Sequence, residues 1–178
     1  MSTTANEFDD FADVLRVERG VRPLFIVGAS KVDHLLLEIL RAYHLPKLST
    51  GKNEDELLEG DKCTFSTRIK MCRRLGLIDE TLYLSLERLR AIRNKCAHLV
   101  AFDHSVSPLR EHFSEFRKSL AGRASYGLTK KRYFDDEYAN PIEEWQCLLL
   151  TICVLLESVR AKTVPTKGNA KTLRLSAR

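Results

Sequence analysis

Between Leu24 and His44 the apolar residues Ile26, Val27, Val32, Leu35, Leu36, Ile39, Leu40 and Tyr43 recur at helical spacing. That spacing sets them on one face of a helix. Nowhere does the chain alternate apolar and polar residues with a sustained period of two, so no sheet is on offer to cover that face. A helix with one apolar side must then bury it against other helices. Gly28, Ala29 and Ser30 interrupt the large side chains of this segment and predict a close helix–helix approach there.

The same reading extends along the chain. Ala5 to Arg19 forms a first helix with Phe8, Phe11, Val14 and Leu15 on its apolar side, punctuated by Gly20 and Pro23. Pro46 to Asn53 has the composition of a loop. A further helix starts near Thr64 or Ser66 and runs to Leu75, where Gly76 supplies the stop. Asp79 then caps another that reaches Ala97, and the short connection makes the two an αα-hairpin. Pro108 opens a helix to Leu120, and Pro141 opens the last, through Arg160, with Pro165 ending it. Tyr126 to Asn140, polar and aromatic, reads as a long loop with room for a brief strand pair. The expected fold is all-α: a five- to six-helix bundle with a long central αα-hairpin. Residues 1–163 form one domain on this reading, and 164–178 a basic, disordered tail.

Charge matters here by its position. The formal net charge of 178 residues is +5, yet no acid follows Glu157 while Arg160, Lys162, Lys167, Lys171, Arg174 and Arg178 do. Without these six the chain has 23 basic and 24 acidic residues, so the basicity belongs to the tail. Met1 to Asp13 is acidic and polar, which predicts no secretory signal. The longest apolar stretch, Cys147 to Leu156, is about ten residues against the roughly 20 a bilayer needs. A cytoplasmic protein with no membrane contact is expected. The five cysteines, 63, 72, 96, 147 and 153, include no C-x-x-C pair and read as reduced core residues. Cys96 and His98 have no second ligand pair at zinc-like spacing, so no metal and no cofactor is expected.

Arg93-Asn94-Lys95-Cys96-Ala97-His98 is the chemically suggestive segment. On the helix before it, Leu82, Leu86, Leu89, Ile92 and Cys96 make an apolar stripe. With Leu89 as centre, Arg93 falls about 40° away, at the edge of the buried face, whereas Asn94 and His98 fall about 140° and 180° away on a shared polar face. An arginine leaning on a core requires a partner, and Glu38 or Asp33 on the long helix would serve, leaving His98 to suit the last carbonyls of its own helix. The same three residues can also be read as a phosphate site: arginine offers a two-pronged fork, and histidine moves protons near neutral pH. Ser66 is placed for an N-cap. Arg68 is either a surface residue or a second arginine facing the same pocket. Arg88, Arg90 and Lys95 could touch backbone phosphates, diluted by Glu80 and Glu87. A DNA-reading helix pair around Gly76 would have a recognition helix of about 19 residues with a full apolar stripe, so direct sequence reading is not expected.

Three blocks then occur in order: Cys63-Thr64-Phe65-Ser66-Thr67-Arg68-Ile69-Lys70-Met71-Cys72, Leu75-Gly76-Leu77-Ile78, and Leu89-Arg90-Ala91-Ile92-Arg93-Asn94 with Ala97-His98. Together with Arg19-Gly20, Val27-Gly28-Ala29-Ser30 and Phe102-Asp103, they resemble the mannitol operon repressor family over roughly Arg19 to Leu120. The resemblance implies an all-helical negative regulator of a sugar-alcohol operon. Tyr126 to Asn140 and the basic tail lie outside it. The R-N-x-x-x-H pattern of Arg93, Asn94 and His98 is similar to the signature of the HEPN superfamily of helical bundles, many of them dimeric, metal-independent ribonucleases and others inactive binding modules. That likeness implies Arg93, Asn94 and His98 as catalytic positions; Ser66, Arg68, Arg90 and Lys95 are, from the residues themselves, the candidate binding positions. The expected function is a transcriptional regulator acting through a protein partner or nucleic acid, RNA more than a specific DNA sequence, with a homodimer as its assembly. The alternative is an endoribonuclease with a composite site at a dimer interface.

Overall fold

The computed structural model describes residues 3–43, 63–98 and 109–164. Among them are seven helices and no strand: α1 (Thr3–Val17), α2 (Val21–Tyr43), α3 (Phe65–Arg74), α4 (Glu80–His98), α5 (Leu109–Ala121), α6 (Ala124–Phe134) and α7 (Pro141–Lys162). The expected all-α bundle is what forms. Readings that fell on Pro46–Asn53, Phe102-Asp103, Pro108, Pro165 and the basic tail lie outside the described residues.

Helices α2 and α7 pack together at the centre. Every residue of α7 from Gln146 to Cys153 is buried, because α1, α2, α5 and α6 close around it. The small-residue expectation on α2 holds at Gly28: a Cβ there would come within 2.8 Å of a Leu149 methyl. A larger residue would force the two central helices to shift or repack. An aromatic cluster completes the core at one end, with Phe113 and Trp145 edge to face at 4.7 Å and Phe25 against Phe113 at 4.9 Å.

Helix ends follow local chemistry. The α3 N-cap is Thr64, whose hydroxyl accepts from the Thr67 amide at 3.3 Å, which places Ser66 inside the first turn and corrects its reading as the cap. Gly76 takes φ +69, the left-handed position past a helix end that a side chain resists. The Leu77 amide then returns to Cys72 O and the Gly76 amide to Arg73 O, closing α3 so that α4 can turn back along it. Asp79 caps α4 through the Leu82 amide at 2.6 Å, and Asn140 caps α7 just before Pro141.

Two expectations need correction. Tyr126 to Asn140 holds α6, not a loop or strand pair; the segment buries only Thr129 and Phe134 along its helix, too thin a stripe to read as periodicity. It packs on α7, with Tyr126 and Tyr133 partly buried against the core, and Arg132 and Tyr133 both reach Asp9 of α1, at 2.9 and 2.8 Å. On α1 the buried side is Ala12 and Leu15, while Val14 is 57% exposed. No helix among the described residues is long and apolar enough to cross a membrane.

Candidate functional site

Helices α3 and α4 pack against each other and against α2. Where the start of α3 meets the C-terminal half of α4, a groove of about 390 Å³ opens. Ala29, Ser30 and Asp33 of α2 form one wall, Thr64, Phe65 and Ser66 another, and Arg90, Arg93 and Asn94 of α4 the third. Four of the residues singled out in the sequence, Ser66, Arg90, Arg93 and Asn94, therefore come together. Lys95 is exposed and does not line the groove, and neither does His98, exposed at the last position of α4.

The arginines differ in their partners. Arg68, with 12% of its side chain exposed, donates to Asp33 at 2.8 Å, tying α3 to α2 behind the groove wall. Arg90 donates to Glu87 one turn back on α4, also at 2.8 Å. Glu38, the other carboxylate offered to Arg93 by the sequence, is taken by Arg41 at 2.8 Å. Arg93 itself is exposed and donates to the neutral Asn94 Oδ1 at 3.3 Å. The expectation that Arg93 leans on the core and pairs with Asp33 or Glu38 is thus corrected: Arg68 holds Asp33. Among the described residues, Arg93 is the groove cation without a carboxylate partner.

The reason lies in what stands opposite each position. Arg93 falls inside the angular range of the buried stripe of Leu82, Leu86, Leu89, Ile92 and Cys96, but it sits where the wall of α3 has just begun. Among the described residues no side chain covers it, and its long stem carries the guanidinium outward. The groove consequently offers a two-pronged donor, an amide and the Ser66 hydroxyl, the last at the N-terminal end of α3, where the helix dipole adds positive potential; the Ser30 hydroxyl on the facing wall donates to Ile26 O of its own helix at 2.9 Å. Such a set suits a phosphate.

Nucleophilic chemistry is not built here. Burial pushes the Cys96 thiol up to about 11, and burial with Cys63 nearby pushes Cys72 up to about 12, so both stay protonated at neutral pH. All five cysteines are free and buried. Among the described residues no three His, Cys, Asp or Glu side chains gather to hold a metal ion.

A larger cavity, about 910 Å³ between α1, α2, α6 and α7, is a different environment. Phe8, Leu128, Val154 and Ala161 give it apolar walls, and each arginine at its rim faces a carboxylate: Arg132 with Asp9, Arg41 with Glu38, Arg160 with Glu157. Its charges are matched internally. For an anionic ligand the smaller groove is the better site.

Sequence reasoning missed Gln146. Buried on α7, its amide nitrogen donates toward Leu15 O, Arg16 O and Glu18 O at 2.9–3.1 Å, engaging carbonyls at the end of α1, of which Leu15 O also accepts from the Glu18 amide. A glutamine inside an otherwise apolar run (Gln146 before Cys147 to Leu150) was the signal available.

No protein-family model matches this chain, and no curated protein matches it. Among solved structures it is similar to the crystal structure of a possible transcriptional regulator, YggD, from Shigella flexneri 2a strain 2457T. The TM-score is 0.54 at 12% identity, covering 85% of this chain and 98% of that one. At that identity the likeness is one of fold.

Proposed function

We propose that this chain is a regulatory protein of the mannitol operon repressor type, a negative regulator of transcription that works by binding nucleic acid, RNA in preference to a specific DNA sequence. The observation that carries the proposal is Arg93: an exposed guanidinium without a described carboxylate partner, at the mouth of a groove shared with Arg90, Asn94 and Ser66. A protein that leaves a cation unneutralised inside a concave polar surface gains a phosphate site there. Two of the three ordered blocks that resemble the repressor family, those holding Ser66 and Arg93, contribute residues to this groove. The description of YggD as a possible transcriptional regulator agrees with the reading, although a shared fold is an analogy and not a mechanism. Direct DNA reading by the α3–α4 pair fits poorly, since α4 buries residues along its whole length.

A second reading, a metal-independent endoribonuclease, is favoured by one specific arrangement. Arg93 and Asn94 line the groove, and His98 lies exposed one turn further along α4. Cleaving RNA without metal requires a base for the ribose 2′-hydroxyl, an acid for the leaving oxygen and a cation for the phosphorane. One imidazole per chain supplies one proton role, so a pair of chains facing each other across α4 would be needed.

Labelled single-stranded RNA mixed with purified protein in EDTA separates the readings. Regulation predicts binding without cleavage, lost in Arg93→Ala and kept in His98→Ala. The nuclease reading predicts cleavage lost in both variants while His98→Ala still binds. If the wild-type protein neither binds nor cuts, both readings fail.

A further inference from the structure

Helix α3 has four basic residues and no acidic one in its ten positions. Its inner side is settled: Ile69 and Cys72 are buried, and Arg68 holds Asp33. Wound at about 100° per residue, Ser66, Lys70 and Arg73 fall within a sector of roughly 60°, centred about 120° from the middle of that inner side, with Arg74 about 40° beyond. Lys70, Arg73 and Arg74 are all exposed. Ser66 lines the groove, so this basic stripe starts at the groove and leads away from it. From Ser66 to Arg74 it runs roughly 12 Å, the rise of three to four stacked nucleotides at about 3.4 Å each.

The far end of the stripe has a distinct construction. The Arg73 guanidinium lies over the Tyr83 ring at 4.1 Å, and Glu80 grips it at 2.8 Å, yet 46% of the side chain stays exposed. An aromatic ring beneath and a carboxylate at the edge fix the guanidinium as a flat plate. Plates of this kind stack on nucleobases. A base can reach one only if it is free of its complement, which favours a single strand over a duplex.

We infer that the exposed side of α3 is the track for a single-stranded polynucleotide: one phosphate sits in the groove at Arg93, Lys70 and Arg74 hold the next ones, and a base stacks on the Arg73–Tyr83 plate. This rests on the groove reading above and extends it from a point contact to a directed path. Lys70 and Arg74 have no acidic partner among the described residues, so their charge is available to the strand.

The test is fluorescence anisotropy with a labelled ten-nucleotide adenosine RNA, the same length of DNA, an RNA whose bases are replaced by abasic sites, and a polyglutamate peptide of equal charge. Lys70→Glu with Arg74→Glu should weaken RNA binding at least tenfold and flatten its salt dependence by the contribution of about two phosphates. Arg73→Lys, which keeps the charge and loses the plate, should weaken adenosine RNA about tenfold and leave the abasic strand unchanged. All these positions are exposed, so circular dichroism and melting should match wild type. RNA and DNA binding alike supports the track, which reads phosphates and a base face. If Arg93→Ala weakens binding while the Lys70, Arg74 and Arg73 variants bind as wild type does, the track is wrong and the groove reading stands. Failure of the wild-type protein to bind any strand removes both, and equally tight binding of polyglutamate overturns the polynucleotide assignment.

Discussion

Helix α2 has two faces with opposite fates. One lies against α7, where Gly28 admits Leu149 to van der Waals range and Val32, Leu35, Leu36 and Ile39 are buried. The other presents Ser30 and Asp33 to the groove shared with α3 and α4. Polar groups in the seam are few and tied down, as in the Thr151 hydroxyl that donates to Cys147 O of its own helix. In the groove the Ser30 hydroxyl is likewise tied to Ile26 O, but the Ser66 hydroxyl, the Asn94 amide and the Arg93 guanidinium face a ligand. Apolar burial makes the seam the source of stability; the groove, which buries little, is free to be spent on recognition.

That contrast is broken first by substitutions in the seam. Leu149→Ala removes a fully buried side chain and should cost about 3 kcal/mol, lowering the melting temperature by roughly 6–12 °C. Calorimetry checks it; a drop below about 2 °C would mean that the seam is not the stabilising face. Gln146→Leu takes the amide donor from Arg16 O and Glu18 O at the end of α1, while Leu15 O keeps the Glu18 amide, and should cost about 1–2 kcal/mol. Hydrogen exchange should quicken in α1 while α7 stays protected. Equal protection in α1 would show that the amide is not its anchor.

The groove responds with smaller effects and a reversed sign. Asp33→Asn breaks the 2.8 Å pair with Arg68. With Asp33 partly exposed to solvent, the cost should be about 1 kcal/mol. The same change removes a negative charge from the groove wall, so affinity for RNA should rise as stability falls. Parallel loss of both would contradict the division of labour between the two faces.

How much of this was legible follows from what periodicity measures. The stripe of Leu82, Leu86, Leu89, Ile92 and Cys96 was readable, and all five are buried. Gly76 and Asp79 announced their turn and cap through backbone chemistry alone. Arg93 was misread, because an angle on a helical wheel tells which way a residue points, not whether another helix stands there. Helix α6 was missed for a related reason: its anchors, Arg132 and Tyr133 on Asp9, join positions more than 120 residues apart, beyond the reach of local pattern. Ser66, Arg90, Arg93 and Asn94 were each named from the sequence, but their meeting in one groove depended on α3 running back along α4. Gln146 escaped because its partners are backbone carbonyls, which no sequence displays.

The smallest expected effect concerns pH. The hydrogen bond from Arg123, first, and the Leu82 amide hold the Asp79 carboxyl below its ordinary range despite partial desolvation. A depressed folded-state pKa favours the native state above the unfolded value near 4 and is lost as pH falls through the folded one. Thermal stability should therefore decline below about pH 4 less steeply in Asp79→Asn than in wild type. Identical acid limbs would remove Asp79 from the account.

The central claim is that Arg93, which has no carboxylate partner among the described residues, holds a phosphate. Its most direct test is the affinity of wild type and Arg93→Ala for a labelled single-stranded RNA at fixed salt, with melting curves in parallel. The account predicts binding weaker by about tenfold or more and a melting temperature within about 1 °C of wild type, as for an exposed side chain. Equal affinity, or a loss of binding that tracks a loss of stability, would contradict it.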